Sequence, residues 1–356
     1  MSARPRILGW DFLRGLCALA VMAYHLMYWQ GLADLSTLGT YGVYLFFVLS
    51  GASLAYAYPR DTLSGWRGIA AFLLARWMRL APLYLALCLV YLVMLRGHLG
   101  QWASDIPHRL LLNGSFAFGF ADPALSALLI GGWSLGIEFV FYLLMPAASR
   151  LMERSWARWA VLVILVLIQA AWVMATVGRD GLAQASVAYH QVPAFAAYFY
   201  AGCLIGRARL SAPPERPWGQ GVLTWCLLAA LLLAAVPQVS GDELTGWRGL
   251  LLPPACGLAV WSSGAVQVPL AWRRLAAWLG DITYGTYLLH PMLFFALAWF
   301  VIPGLLPDQG PDFPVWIRWG FVLGIGAGAC ALAVASERWI ERPFRQAGRR
   351  LVTRAA

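Results

Sequence analysis

The chain contains about ten apolar segments, each long enough to cross the ~30 Å hydrocarbon layer of a bilayer as a helix. Of the 356 residues, 61% are hydrophobic and 12% are charged, whereas soluble domains are about half apolar and a quarter charged. The charged residues are too few to form the surface of a soluble protein of this length. We therefore predict an all-α polytopic membrane bundle of about ten helices. The segments are residues 8–29, 40–58, 68–95, 133–150, 157–177, 189–206, 220–236, 249–267, 282–302 and 315–336.

The arginines indicate the orientation of this bundle. Every basic residue is Arg, and the net charge is +10. The arginines are scattered between apolar segments, which favours membrane orientation over a nucleic-acid partner. With both termini cytoplasmic and an even number of spans, cytoplasmic loops hold most arginines, as the positive-inside rule requires. The outer loops then hold Arg96, Arg109, Arg179, Arg248 and Arg318.

Two further features limit the class of protein. Asp11 and Arg14 interrupt the first apolar run, so we interpret it as an uncleaved span and not as a signal peptide. The six cysteines lie in apolar stretches without a CxxC pair, which predicts buried thiols and neither a disulfide framework nor a metal site.

Arg14 and His25 make the first span the most informative. Eleven helical steps turn about 1100°, so both residues share one face, ~16 Å apart along the axis. Charges in hydrocarbon are costly unless they face a cavity or a partner, and histidine exchanges protons near neutral pH. The face therefore predicts a polar path with His25 as general base. The alternative is an interfacial His25 held by packing and an Arg14 that extends to the headgroups.

Glu138 lies in the fourth predicted span, one and a half turns below Trp133, which marks the outer interface. Its depth resembles that of His25, so we expect the carboxylate to orient the imidazole, as in a catalytic triad. The alternative is a structural hydrogen bond between helices.

Arg76 and Arg79 are three residues apart and share a helix face at the cytoplasmic surface. Two guanidinium groups form a good phosphate clamp, so we predict that this pair binds a phosphate-bearing cofactor. Positive-inside anchoring is the alternative explanation.

Three further residues, Ser50, Trp133 and His290, are assigned to the substrate site. Ser50 opens the run Ser50–Ser53, whose small side chains allow a helix or a ligand chain to approach closely. It lacks the strand–turn–helix context of a nucleophilic serine. His290 lies in mid-membrane before Pro291, where it lines the cavity or satisfies a backbone group that the proline frees. Asp281 is interpreted as the N-cap of this ninth span.

Six short motifs in this order resemble the bacterial acyltransferase-3 family of membrane O-acyltransferases. Each is weak alone, but together they cover nearly the whole chain. Many members have Phe after the Ser-Gly of the second motif, where this chain has Ala52. The motifs are Asp11-Phe12-Leu13-Arg14-Gly15 with His25, Phe46-Phe47-Val48-Leu49-Ser50-Gly51, Arg76-Trp77-Met78-Arg79-Leu80-Ala81-Pro82, Trp133-Ser134-Leu135-Gly136-Ile137-Glu138, Tyr284-Gly285-Thr286-Tyr287-Leu288-Leu289-His290 and Ile340-Glu341-Arg342-Pro343-Phe344.

The resemblance implies transfer of an acyl group, commonly acetyl, from cytoplasmic acyl-CoA to a hydroxyl of an envelope polysaccharide or lipid-linked glycan. It implies functional roles for Arg14, His25, Glu138 and the pair Arg76 and Arg79. It also implies a multi-pass protein of the bacterial inner membrane. We expect a transmembrane domain at 1–340, a short basic cytoplasmic tail at 341–356 and no appended hydrolase-like domain.

Two other classes remain open from the residues alone. A transporter or flippase of a lipid-linked sugar predicts inverted repeats and paired broken helices, and the chain shows no repeat. A polyprenyl-linked glycosyltransferase predicts acidic metal-binding pairs, and the outer aspartates are scattered. The sequence does not name the acceptor or the acyl chain, and it leaves open direct transfer or an acyl-enzyme on His25 or Ser50.

Overall fold

The described part of the chain is helical throughout in the computed structural model, which describes residues 4–58, 60–102, 104–211, 221, 244–305 and 313–355. Two π-helical segments, Leu297–Val301 and Glu337–Glu341, interrupt the last long helices. The α-helices are α1 (Leu8–Trp29), α2 (Ser36–Ala57), α3 (Gly65–Leu99), α4 (Ile106–Ser115), α5 (Pro123–Ser126), α6 (Gly132–Leu151), α7 (Ser155–Tyr189), α8 (Val192–Leu210), α9 (Gly246–Ala265), α10 (Leu270–Ala296), α11 (Ile302–Leu305), α12 (Val315–Ser336) and α13 (Arg342–Ala355).

Seven helical stretches in the described residues are long and apolar enough to cross a membrane. The predicted all-α polytopic membrane class is therefore confirmed. The predicted count of about ten spans is not tested, because segment 220–236, apart from residue 221, lies outside the described residues. Helices α8 and α9 match predicted segments 189–206 and 249–267 but are not among the seven, which are Leu8–Trp29, Ser36–Ala57, Gly65–Leu99, Gly132–Leu151, Ser155–Val177, Leu270–Val301 and Val315–Thr353.

Helix α1 is held between α2 and α10, its two most extensive neighbours. Glycines allow both approaches. A Cβ atom at Gly15 would lie 2.4 Å from Cβ of Leu279, and one at Gly42 would lie 3.1 Å from the carbonyl oxygen of Cys17. The polar face of α1 therefore looks onto the groove between α2 and α10, which decides the partners of Arg14 and His25.

Helix α2 packs against α8 through a second set of glycines. A Cβ at Gly51 would lie 2.0 Å from the carbonyl oxygen of Phe199, and one at Gly202 would lie 2.0 Å from that of Val48. The close approach predicted at Ser50–Ser53 is thus confirmed, and a helix makes it. Side chains larger than hydrogen are excluded at both glycines, because the opposing atoms belong to backbone.

Two local predictions differ from the structure. The region 96–132, which the predicted spans leave as a long connection between segments 68–95 and 133–150, contains α4, α5 and the 3₁₀ turn Ala117–Phe120. Asp281 is not an N-cap, because α10 begins eleven residues earlier at Leu270. Its carboxylate instead pairs with Arg6 at 2.9 Å. A mid-helix carboxylate beside a glycine resembles a cap in sequence, and only the partner on another segment distinguishes the two.

We expect Gly202→Ala to destabilise the bundle, because the added methyl group must displace the backbone of α2. Overpacking of this kind costs about 1–3 kcal/mol. Thermal unfolding of the purified protein in detergent measures the effect. Gly324→Ala is the matched control, since nothing lies within 4 Å of its Cβ position. Equal melting temperatures for the two variants would contradict the close packing of α2 on α8.

Candidate active site

His25 and His290 form a hydrogen-bonded pair of imidazoles. Helix α1 carries His25 near its C-terminal end, and α10 carries His290. Nδ1 of His25 lies 2.9 Å from Nε2 of His290. His290 is completely buried, and His25 is half-buried with its ring stacked on Trp29 at 4.9 Å. His25 therefore faces the interior of the bundle, so the alternative of a histidine held only by packing does not describe it.

The second nitrogen of His290 fixes where the protons lie. Its Nδ1 is 2.8 Å from the carbonyl oxygen of Thr286, one turn earlier in α10. A carbonyl only accepts, so Nδ1 of His290 carries the proton and Nε2 of the neutral ring accepts. Nδ1 of His25 must then donate to it, which leaves Nε2 of a neutral His25 with a free lone pair. In the described part of the chain, no group hydrogen-bonds that nitrogen. Such an arrangement suits a proton acceptor.

This carbonyl is not the one that Pro291 frees. A proline at 291 removes the helical donor to the carbonyl of residue 287, four positions earlier. The bond from His290 to Thr286 therefore does not repair the proline break, and the ring is held for its contact with His25.

Glu138 does not contact His25, which corrects the predicted pairing. Its Oε1 accepts hydrogen bonds from the Ser50 hydroxyl at 2.5 Å and the Tyr142 hydroxyl at 2.6 Å. The reason is the packing: α1 lies against α2 and α10, and α6 contacts α2 and α3. Equal depth in the membrane does not bring two side chains together when their helices are not neighbours.

Arg14 reaches from α1 to α2 inside the bundle. Its guanidinium donates to the Ser53 hydroxyl at 2.5 Å and to the Leu49 carbonyl at 3.3 Å. It also lies 3.4 Å from the carboxylate of Asp11, which precedes it by three residues in α1. The guanidinium is thus directed inward, and the alternative of an arginine extended to the headgroups is wrong.

Arg76 and Arg79 point to different partners, although they share a helix face. Arg79 donates to Oε2 of Glu341 at 2.9 Å and lies over the ring of Tyr284. Arg76 donates to the Tyr58 hydroxyl at 2.6 Å. A buried carboxylate therefore already neutralises one member of the predicted phosphate clamp.

Trp133 lies apart from the histidine pair. Its ring is 4.1 Å from that of His190, and it also contacts Phe195. The adjacent Ser134 is 3.0 Å from the Tyr287 hydroxyl, which itself donates to the Gly131 carbonyl at 3.0 Å. These bonds tie the start of α6 to α10 one turn from His290.

The comparison with known families decides the identity. A sequence model described as an acyltransferase domain, Acyl_transf_3, matches residues 7–338. The chain belongs to the acyltransferase-3 family. The matched range contains every predicted site residue, which confirms the resemblance seen in the motifs.

Two curated relatives of this acyltransferase-3 chain are informative. Acyltransferase MdmB of Streptomyces mycarofaciens is 30% identical over 174 residues, which cover 42% of each protein. Protein 2 in picA locus of Rhizobium radiobacter is 33% identical over 168 residues, 45% of this chain and 86% of that protein. The chain thus matches less than half the length of the first relative. No solved structure matches the chain.

Several residues of the acyltransferase-3 site were not predicted from the sequence. Ser53 and Thr286 carried a usable signal, because each lies one helical turn from a predicted residue, Ser50 or His290. Tyr142 likewise follows Glu138 by four residues. No sequence signal links Arg79 to Glu341, which is 262 positions away and lies in a π-helical segment.

We expect Glu341→Leu to destabilise the protein by roughly 3–5 kcal/mol, because it leaves the Arg79 guanidinium unpaired inside the bundle. The double variant Arg79→Met with Glu341→Leu should recover much of that loss, since neither charge is then buried. Thermal unfolding in detergent measures both.

Arg338→Met serves as the control, because Arg338 is exposed and its removal should change stability little. A double variant no more stable than Glu341→Leu would contradict the importance of the pairing.

Proposed function

We propose that the chain is a membrane-bound O-acyltransferase that moves an acyl group, acetyl in the simplest case, from acyl-CoA to a hydroxyl of an envelope polysaccharide or lipid-linked glycan. The observation that carries the proposal is the His25–His290 pair, which leaves Nε2 of His25 unprotonated and without a partner among the described residues. The name of one relative, Acyltransferase MdmB, supports the same reaction class.

Charge and polarity support a donor that enters from the arginine-rich end of the bundle. Arg4 contacts the Tyr56 carbonyl and Arg76 contacts the Tyr58 hydroxyl, so the N-terminal end of α1 and this part of α3 both lie at the C-terminal end of α2. Helix α13 packs on α3 there. The positive-inside rule assigns such an end to the cytoplasm, where acyl-CoA is found. The pantetheine arm then passes Arg14 and the Ser50–Glu138 pair toward His25.

His25 acts as the general base in this proposal. Its Nε2 takes the proton of the acceptor hydroxyl while the oxygen forms a bond to the thioester carbonyl carbon. The carbon–sulfur bond then breaks, and the leaving thiolate recovers the proton from His25. His290 accepts from Nδ1 throughout, so it holds the ring orientation and stabilises the transient imidazolium.

We expect His25→Ala to lower the rate of acyl transfer by about 10²–10⁴-fold, the usual contribution of a general base. The assay incubates purified protein with labelled acetyl-CoA and glycan acceptor, after a check of folding and expression. His108→Ala is the matched control, because His108 is exposed and outside the site. Undiminished transfer by His25→Ala would remove His25 as the base, and no consumption of thioester by the native protein would favour a transporter.

An acyl adduct on Ser50 or His25 in intact mass spectrometry would replace direct transfer with an acyl-enzyme.

We expect His290→Phe to lower kcat by roughly 10–100-fold, as losses of a supporting hydrogen bond commonly do. KM for acyl-CoA should stay unchanged, because His290 supports the base and does not touch the donor. His290→Gln should restore part of the rate, since its amide oxygen accepts from Nδ1 of His25. An equal loss in both variants, together with lower thermal stability, would assign His290 to folding alone.

A further inference from the structure

Helix α13, which covers most of the predicted basic tail, lies along α3. Gly348 allows the contact, because a Cβ there would lie 3.0 Å from Cα of Ala75. This contact is one of the most extensive in the bundle. It brings arginines from α13 to the same end of α3 that carries Arg76 and Arg79.

Carboxylates neutralise two of the four arginines at this contact. Arg79 pairs with Glu341 at 2.9 Å. Arg345 donates to both oxygens of Glu337, at 2.5 and 3.0 Å. Both glutamates are buried in the π-helical segment that precedes α13. Each of these guanidinium groups therefore has an internal counterion.

Arg76 and Arg349 have no carboxylate partner among the described residues. Arg349 is close enough to Arg76 and Arg79 for their like charges to interact. The bond to the Tyr58 hydroxyl leaves Nε of Arg76 buried without an acceptor. Like charges repel, and a buried N–H without a partner is unfavourable. An anion with several acceptor oxygens, bound between the two guanidinium groups, relieves both.

We infer that Arg76 and Arg349 form the phosphate-binding site for the acyl-CoA donor, with α13 as one wall of that site. This inference rests on the proposed function and replaces the pair Arg76 and Arg79 predicted from sequence. Guanidinium groups suit phosphate oxygens because each presents two parallel N–H donors. An anionic lipid headgroup offers the same chemistry, and the experiment separates the two sources.

The test measures CoA affinity of the full-length protein in phosphatidylcholine nanodiscs by titration calorimetry. Arg349→Gln should weaken CoA binding about tenfold, the effect of one charge-assisted hydrogen bond. Arg349→Lys should lose less CoA affinity than Arg349→Gln. In both variants, the difference in affinity between CoA and pantetheine should be smaller than in the native protein. Arg350→Gln is the control, because it removes an exposed charge from the next position of α13. Inorganic pyrophosphate should compete with CoA in the native protein and poorly in Arg349→Gln.

Several outcomes would overturn the inference. CoA affinity equal in Arg349→Gln and native protein would exclude α13 from the site, even if labelled acetyl-CoA is consumed normally. If Arg349→Gln leaves CoA affinity unchanged but binds phosphatidylglycerol, supplied in the nanodisc, more weakly than the native protein does, the arginines would be assigned to lipid headgroups. A native protein that binds pyrophosphate through Arg349 but consumes no thioester would support the anion site and reject the proposed acyltransferase.

Discussion

A polar group inside a membrane bundle needs a partner from the protein itself, because lipid offers none. This constraint explains most of the interactions described above. Arg14 finds Ser53 and the Leu49 carbonyl, Arg79 finds Glu341, and Glu138 finds Ser50 and Tyr142. The bonds of Arg14 join α1 to α2, whose close approach Gly42 allows. Among the described residues, Nε of Arg76 and Nε2 of His25 lack a hydrogen-bond partner, and in the proposed function they lie at opposite ends of the donor path.

The two ends of the bundle differ in chemistry. One end gathers guanidinium groups around buried glutamates, and the other holds neutral imidazoles among aromatic rings. The first suits a highly charged nucleotide, and the second suits proton transfer away from competing charges. A long, thin donor such as acyl-CoA combines both requirements, because its phosphates and its thioester lie at opposite ends of one molecule.

The sequence predicted the helices well, but it predicted the partners of the candidate site residues poorly. Apolar runs and positive charges locate spans along one axis, so α1, α2 and α12 agree closely with expectation. Depth along the membrane normal does not determine which helices pack together. For that reason Glu138 was assigned to His25, a residue of similar depth on a helix that is not its neighbour. Contacts within one helix, such as Asp11 with Arg14, follow from spacing alone. Contacts across 265 residues, such as His25 with His290, depend on packing that no local pattern encodes.

The π-helical segment Glu337–Glu341 links the membrane helix α12 to α13 without a loop. A π turn accommodates one more residue than an α turn, and one residue rotates everything that follows by about 100°. The direction in which α13 presents its side chains is therefore set by the number of residues in this segment as well as by their identity. A single deletion there would turn a whole helical face of α13 from the protein toward water, which a substitution, however destabilising, would not do.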